Sequence, residues 1–277
     1  MFSYVDPSVK NDLLAAGKLA GIDEHGARVD GASATAFINI VGPVPLPLVL
    51  AGGVATFRWY AWVRHSDLER IEHVVDEVRE KGPRRLFALL SDHMAVNSTL
   101  VYGDFEHAPE PPVRVHSNCL TGDVFGSLRC DCGPQLSAAL EAIVAAGVGA
   151  VVYMAGHEGR GIGLWAKAIT YLLQDAGHDT YEANEKLGLP RDSRDFGDAA
   201  RILLYFRGPE SRLRLLGNNP MKREALEAAG LVVAAQEPLV VGINPHNRRY
   251  LASKRAHGHI IPESALEPDA SARPKKP

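Results

Sequence analysis

Residues 134–154, PQLSAALEAIVAAGVGAVVYM, hold a predicted helix followed by a predicted strand, and this pair of elements decides the fold class. Pro134 suits the first turn of a helix, and Gly147 suits the position just after its end. The following GAVVYM has the length and the β-branched content of a short buried strand. The stretch therefore predicts alternating β-α units within a mixed α/β, or α+β, fold.

The same alternation continues toward the C-terminus. Four further segments have helix or strand character: GLWAKAITYLLQDAG (helix), RLRLLG (strand), PMKREALEAAG (helix) and LVVAA (strand). From residue 263 the sequence becomes ESALEPDASARPKKP, whose composition predicts a disordered tail. We expect one domain over residues 101–262 and a tail over residues 263–277.

The first hundred residues have a different character. Residues 1–40 are polar, Gly- and Ala-rich and weakly periodic, so we expect an arm that is partly ordered at best. Residues 37–63 and 88–105 are strand-like. Between them, HSDLERIEHVVDEVREKG at residues 65–82 places four apolar residues on one helical face. Residues 1–100 are therefore predicted to form a β-rich, antiparallel region with at least one helix.

Composition excludes several classes of protein. The net charge of −3 argues against a general affinity for nucleic acid or for anionic membranes, because both need a basic surface. The longest apolar stretch, VPLPLVLAGGVA, is interrupted by Pro and Gly and is too short to cross a bilayer. The first residues lack the pattern of a signal peptide. We expect a cytoplasmic protein that binds neither nucleic acid nor membranes.

All three cysteines lie in RVHSNCLTGDVFGSLRCDCG, residues 114–133, at positions Cys119, Cys130 and Cys132. An odd number cannot pair fully in disulfides, and reduced thiols suit the cytosol. A catalytic zinc keeps three protein ligands and leaves a fourth position open, so the number of thiols fits. A structural four-ligand site would need a further ligand, for which His116 is the nearest candidate. Buried free thiols are the alternative, but the polar, Gly-rich surroundings favour a metal.

Six motifs in a fixed order resemble the GTP cyclohydrolase II family. They are RVHSNCLTGDVFGSLRCDCGPQL, GHEGRGIGL, YLLQDAGHDTYEAN, DSRDF, LLGNNPMK and PLVVGINPHNRRYLASKRAHGH. The resemblance covers about residues 101–261, whereas the first hundred residues match the family poorly. It implies a GTP cyclohydrolase II-like fold around a zinc site. It also implies hydrolysis of GTP at guanine C8, with release of formate and pyrophosphate and formation of 2,5-diamino-6-(5-phosphoribosylamino)pyrimidin-4(3H)-one.

The resemblance also assigns residues. Cys119, Cys130 and Cys132 would hold one Zn²⁺ per chain, and Tyr171 would lie near the base and the attacking water. Asp192 would activate Arg194, which would attack or clamp the α-phosphorus. A guanidinium is a poor nucleophile because it stays protonated, so stabilisation of the phosphate by Arg194 explains the residue as well.

The remaining residues implied by the resemblance would bind substrate. Glu158 would read the N1–H and 2-amino donors of guanine, and Lys222 would bind phosphate at a helix N-terminus. The full predicted set is Arg114, Val115, His116, Ser117, Asn118, Gln135, Glu158, Gly159, Arg160, Thr180, Gly217 and Lys222. Mg²⁺ would accompany the substrate phosphates. A homodimer is expected.

Three positions depart from the family pattern. Asn118 replaces a usual Glu, Ala155 replaces a common Arg, and Gly217 replaces the Thr of LLTNNP. These departures keep two alternatives open. One is a paralogue that stops at the formamidopyrimidine stage or acts on another nucleotide. The other is a zinc- or nucleotide-binding protein without catalysis, against which the intact Asp192, Arg194 and cysteines argue.

Overall fold

The computed structural model describes residues 7–29, 35–68 and 95–267. Their strands form a nine-stranded sheet of order β2-β1-β3-β4-β5-β7-β6-β8-β9. The strands are β1 (Leu19–Ile22), β2 (Arg28–Val29), β3 (Ile38–Leu50), β4 (Gly53–Arg64), β5 (Asn97–Tyr102), β6 (Pro112–Ser117), β7 (Gly149–Met154), β8 (Arg212–Leu216) and β9 (Val232–Glu237). Strands β1 to β5 pair antiparallel, and β5 also pairs antiparallel with β7. Strand β6 is parallel to β7 and to β8, and β8 is parallel to β9.

Helices connect the parallel strands, which confirms the mixed α/β fold. They are α1 (Pro7–Ala15), α2 (Leu120–Asp123), α3 (Cys132–Ala145), α4 (Gly163–Asp175), α5 (Glu182–Lys186), α6 (Gly197–Arg207), α7 (Pro220–Ala228) and α8 (Arg248–Ala256). Two 3₁₀ segments are η1 (Ala155–Arg160) and η2 (Glu263–Leu266). Each predicted helix and strand downstream of residue 134 is present within a few residues of its expected ends. None of the helices in the described part of the chain is both long enough and apolar enough to span a bilayer.

Part of the N-terminal arm forms regular secondary structure. Its described residues form α1, β1 and β2, and all four residues of β1 are buried. Ala20 and Ile22 pack in the main core with Ile38 and Trp62. The sequence does not show β1, because a four-residue strand is too short to show periodicity.

Two other predictions near the chain ends are tested only in part. The long strand-like region is confirmed as β3 and β4, and residues 65–68 are helical. The rest of the helix predicted over residues 65–82 lies outside the described residues, as do residues 88–94. At the C-terminus, Glu263–Leu266 forms a 3₁₀ turn where disorder was expected, and residues 268–277 lie outside the described residues. Because one sheet contains strands from both predicted regions, the boundary near residue 100 stays a proposal.

Two clusters of apolar side chains cover the sheet. Helix α3 packs Ala139 and Ile143 against Val151 and Phe57. Helix α6 supplies Ile202 and Leu203 to the larger cluster, which also contains Val115, Val152 and Leu215. The central parallel strands are therefore fixed by apolar packing, and their carboxyl ends are held in constant relative positions.

Candidate active site

The carboxyl ends of β6, β7 and β8 open into one cavity. Strand β6 ends at Ser117 and leads to Cys119, β7 leads into η1 with Glu158, and β8 leads to Asn218 and Asn219. Ligands bind outside the carboxyl ends of the strands in sheets of this kind, where loops from neighbouring strands converge. The topology therefore collects residues that are more than a hundred positions apart in sequence.

The three cysteines meet in this cavity. Their Sγ atoms all lie within 4.8 Å of one another, and the Sγ atoms of Cys119 and Cys130 are 3.7 Å apart. All three are free thiols. Gly122 packs on the cluster, since a Cβ at this position would come within 2.7 Å of Cys130 Sγ. The absence of a side chain at Gly122 therefore lets the backbone of α2 approach the sulfur atoms.

The three thiols perturb one another's pKa. Hydrogen bonds with Cys130 and Cys132 hold the pKa of the Cys119 thiol far below its usual value. The same contact with Cys119 raises the pKa of Cys130 to about 11 and also raises the pKa of Cys132. Three thiolates at this spacing repel one another unless a cation lies between them. The donor set and its spacing are therefore suited to holding a metal ion.

His116 is not part of the sulfur cluster. Its Nε2 atom lies 3.0 Å from Asp123 Oδ2, and its Nδ1 atom lies 3.4 Å from Arg114 Nη2. Burial lowers the pKa of His116 to about 4, so the ring is neutral at neutral pH. Among the described residues, the three cysteines are the single group of three or more His, Cys, Asp or Glu side chains placed to hold a metal ion.

A buried network connects Glu158 to the cysteines. Lys167 Nζ donates hydrogen bonds to Glu158 Oε1 at 2.5 Å, to Thr121 Oγ1 at 3.0 Å and to Cys119 Sγ at 3.2 Å. The Tyr171 hydroxyl lies 3.1 Å from Thr121 Oγ1. Burial raises the pKa of Tyr171, so its phenol is protonated at neutral pH.

The carboxylate of Glu158 is less free than its predicted role requires. Besides Lys167, it accepts hydrogen bonds from the backbone N–H of Gly159 at 3.2 Å and of Leu120 at 2.7 Å. A carboxylate has about four acceptor positions, so these three bonds leave about one. Reading both guanine donors with Glu158 would therefore require one of the internal bonds to open.

Asp192 and Arg194 form a two-pronged ion pair. Arg194 Nε donates to Asp192 Oδ1 at 2.8 Å, and Arg194 Nη2 donates to Asp192 Oδ2 at 2.5 Å. Arg194 Nη1 also reaches Ser117 Oγ at 3.4 Å. Burial alone would lower the pKa of Arg194, but the bonds to Asp192 outweigh it and raise that pKa. Arg194 is thus a fixed guanidinium cation at the cavity wall.

Several other cations face the same cavity. Lys222, at the start of α7, donates to the backbone oxygen of Val115 at 2.7 Å, and burial lowers its pKa well below the usual value. Arg160 stacks its guanidinium on Tyr181 at 3.6 Å from the ring centroid. Arg160 Nη2 and Arg114 Nε are buried without a hydrogen-bond partner among the described residues. Buried unpaired donors of this kind are explained when an anionic ligand completes them.

Most residues predicted from the sequence line this cavity. They are Arg114, His116, Ser117, Asn118, Cys119, Cys130, Cys132, Gln135, Glu158, Gly159, Arg160, Tyr171, Thr180, Arg194 and Lys222. The Val115 side chain packs in the core instead, and only its carbonyl contacts a site residue. Gln135 accepts from Arg114 Nη2 at 2.7 Å and donates to Asp131 at 2.6 Å, which orients Arg114. Asp192 lies behind Arg194.

Of the three departures from the family pattern, Asn118 lines the cavity, and Ala155 and Gly217 each lie against a residue that lines it. Asn118 Nδ2 donates to the backbone oxygen of Ala155 at 3.0 Å, so two of the altered positions contact each other. At the third, a Cβ on Gly217 would come within 2.7 Å of Arg114 Nη1. The glycine therefore leaves space that the Arg114 guanidinium occupies.

Residues near the C-terminus complete the cavity, although no role was predicted for any of them. The cavity is also lined by Tyr250, Lys254 and His259. Lys254 Nζ donates a hydrogen bond to Asp131 Oδ1 at 2.9 Å, and Asp131 lies between Cys130 and Cys132 in the sequence. The motif PHNRRYLASKRAHGH was the available signal for these residues, but it has no apolar stripe that would predict a helix packed against the site. Lys167 was also missed. Its position four residues before Tyr171 on one helix, hence on the same face, was the signal for it.

The segment of this chain that contains the site is similar in sequence to known proteins. Residues 80–238 match the sequence model of the family described as GTP cyclohydrolase II. The riboflavin biosynthesis protein RibBA of Salinispora arenicola is 53% identical over 182 residues, which cover 65% of this chain and 43% of that protein. RibBA of Nocardia farcinica is 56% identical over 163 residues, covering 58% of this chain and 39% of that protein.

RibBA of Mycobacterium tuberculosis is 52% identical over 175 residues, covering 58% of this chain and 41% of that protein. This chain therefore spans less than half the length of these relatives. The family match extends over more than half of the 277 residues and includes all three cysteines and the Asp192–Arg194 pair. The chain belongs to the GTP cyclohydrolase II family.

Proposed function

We propose that this chain is a zinc-dependent GTP cyclohydrolase II of riboflavin biosynthesis. It would hydrolyse GTP to formate, pyrophosphate and 2,5-diamino-6-(5-phosphoribosylamino)pyrimidin-4(3H)-one. The observation that carries the proposal is one cavity lined by both the three-thiol cluster and several buried cations. Thiols of this spacing suit a zinc ion, and the cations suit a triphosphate. The names of the similar proteins support the same pathway.

The cysteines would serve the ring chemistry. Held by Cys119, Cys130 and Cys132, zinc would supply Lewis acidity for the attack of water on guanine C8. Tyr171 is a neutral phenol that is linked to Cys119 through Thr121, so it can donate a proton near the opening ring. A first hydrolysis would open the imidazole ring, and a second would release formate. The position of Tyr171 supports the full reaction over one that stops at the formamidopyrimidine.

The cations would serve the phosphates. Arg194 is fixed by Asp192 as a charged group, which supports a clamp on the α-phosphate more than a nucleophile. Water would attack the α-phosphorus, and the bond from that phosphorus to the pyrophosphate oxygen would break. Arg114, Arg160 and Lys222 would bind the phosphate oxygens, and Mg²⁺ would join them. Among the remaining predicted residues, Ser117 and Thr180 would add hydroxyl contacts.

A homodimer and a cytoplasmic location belong to the same proposal. Apolar side chains are exposed on α4 and in the loop before Arg129, including Trp165, Leu172, Phe125 and Leu128. Exposed apolar side chains of this size are typical of protein–protein contacts, which supports a second copy of the chain as partner. Sedimentation velocity at micromolar concentration checks this, and a monomer throughout would contradict it.

Base selectivity tests the proposed function. GTP should be hydrolysed ~10⁴-fold faster than ATP, because a site that pairs with the N1–H and 2-amino donors leaves its own acceptors unpaired with adenine. Formate release from the two nucleotides, at equal concentration with Mg²⁺, is the measurement. If Glu158 binds the guanine donors, Glu158→Gln should reduce the ratio of the GTP rate to the ATP rate. Equal rates with the two nucleotides, or no turnover of GTP, would overturn the proposal.

A further inference from the structure

Lys167 lies against the cysteine cluster, and the reaction described above gives it no role. Its side chain is 9% exposed and projects from α4. An ammonium group has three donors, and three acceptors surround this one: Cys119 Sγ, Thr121 Oγ1 and Glu158 Oε1. The group is thus fully used inside the protein, and one of its bonds reaches a predicted metal ligand.

A hydrogen bond from a cation changes what a thiolate gives to a metal. Three thiolates donate much electron density, so they leave a bound metal ion less acidic than three neutral ligands would. An N–H donor on sulfur withdraws part of that density from the metal–sulfur bond. Groups one step outside the ligands tune metal sites in this way, and their loss typically costs about 10–100-fold in affinity or activity.

The surroundings hold the ammonium in place. Glu158 pairs with Lys167 through Oε1 and accepts the Leu120 backbone N–H through Oε2 at 2.7 Å, which ties the ion pair to the residue after Cys119. Thr121 Oγ1 accepts from Lys167 and also lies 3.1 Å from the Tyr171 hydroxyl. A lysine with three short bonds and almost no solvent cannot turn away from Cys119.

We propose that Lys167 is a positioning residue of the metal centre, which orients the Cys119 thiolate and limits its electron donation to the bound metal. The ion then keeps the Lewis acidity that water attack on guanine requires. The inference rests on the proposed function for its purpose, but its direct consequence concerns the metal–sulfur bond. It can therefore be tested at the metal without substrate.

The test uses the full-length chain loaded with Co²⁺ in place of zinc, whose thiolate-to-cobalt charge-transfer band reports sulfur donation. Lys167→Met keeps the length of the side chain and removes the donor. The band should move to longer wavelength, because the sulfur lone pairs rise in energy without the N–H bond. With zinc, kcat for GTP should fall about 10–100-fold, with a smaller change in KM. Lys186→Met, at an exposed lysine on α5, is the control and should match the wild type.

Two results would decide the inference. A Lys167→Met protein that binds Co²⁺ with the wild-type band overturns it, whatever its activity. If Lys167→Met does not fold, Lys167→Arg is measured instead, because arginine keeps a cationic donor and should give a band close to that of the wild type. A band at clearly longer wavelength in Lys167→Arg also overturns the inference. If the band shifts as expected in Lys167→Met but the zinc-loaded wild type does not hydrolyse GTP, the role of Lys167 is supported and the proposed reaction is refuted.

Discussion

Cys130→Ser is expected to lose bound zinc and GTP turnover together. The wild type should contain close to one zinc per chain, and the variant close to none. The Sγ atom of Cys130 lies 3.7 Å from that of Cys119, and all three Sγ atoms lie within 4.8 Å of one another. Removing it leaves two thiols, which are too few for a site that needs three protein ligands. The loss of turnover should exceed the ~100-fold that is typical of changes outside the ligand shell.

Metal analysis of the purified proteins and the rate of formate release are the measurements. Ser137→Ala is the control, because this exposed side chain lies on helix α3, which begins at Cys132. It should keep both zinc and activity. Circular dichroism should show that the folded content of Cys130→Ser resembles that of the wild type. Full retention of zinc in folded Cys130→Ser would remove this cysteine from the site.

Arg194→Ala is expected to block pyrophosphate release. Loss of one fixed group that stabilises transition-state charge typically costs 10²–10³-fold in rate, and Arg194 is both charged and held in place by Asp192. If Arg194 is a clamp, ring opening continues and an opened triphosphate accumulates. If Arg194 is instead the nucleophile and its attack comes first, formate release falls equally. Mass detection of the nucleotide products distinguishes these two results.

Arg191→Ala is the control for this prediction. Arg191 lies three residues away in the same segment and pairs with Glu185 at 2.6 Å, but its side chain is 59% exposed. Surface substitutions of this kind usually change stability by less than about 0.5 kcal/mol. The control should release pyrophosphate and formate at wild-type rates. The same rates in Arg194→Ala, with zinc content intact, would exclude Arg194 from the mechanism.

The elements that the sequence predicts well are those whose pattern reflects one buried face. Helix α3 and strand β7 have clear ends and continuous apolar content, and the structure places both within a few residues of the expected positions. Strand β6 is harder to predict, because Arg114 and His116 alternate with Val113 and Val115. That alternation resembles a half-exposed strand, yet all four residues are buried. Arg114 and His116 face the cavity, and Val113 and Val115 face the core.

Some residues of the candidate site can also be predicted from the sequence, and others cannot. The cysteine spacing predicts the metal ligands from residue chemistry, whereas the roles of Asp192 and Arg194 come from the family resemblance. Lys167 and Lys254 were not predicted, because the contact that places each of them in the site is with a partner across the fold. Lys254 pairs with Asp131 over 123 positions, and Lys167 contacts Cys119 over 48. Contacts of such separation leave no local pattern in a single sequence.

The central claim is that one cavity carries out both halves of the reaction on GTP. The most direct measurement is a time course of formate and pyrophosphate from the same sample of zinc-loaded protein with GTP and Mg²⁺, with mass detection of the nucleotide product. The account predicts one formate and one pyrophosphate for each GTP consumed, together with the diaminopyrimidine ribosyl phosphate. Pyrophosphate without formate, formate without pyrophosphate, or unchanged GTP in zinc-loaded protein would contradict it.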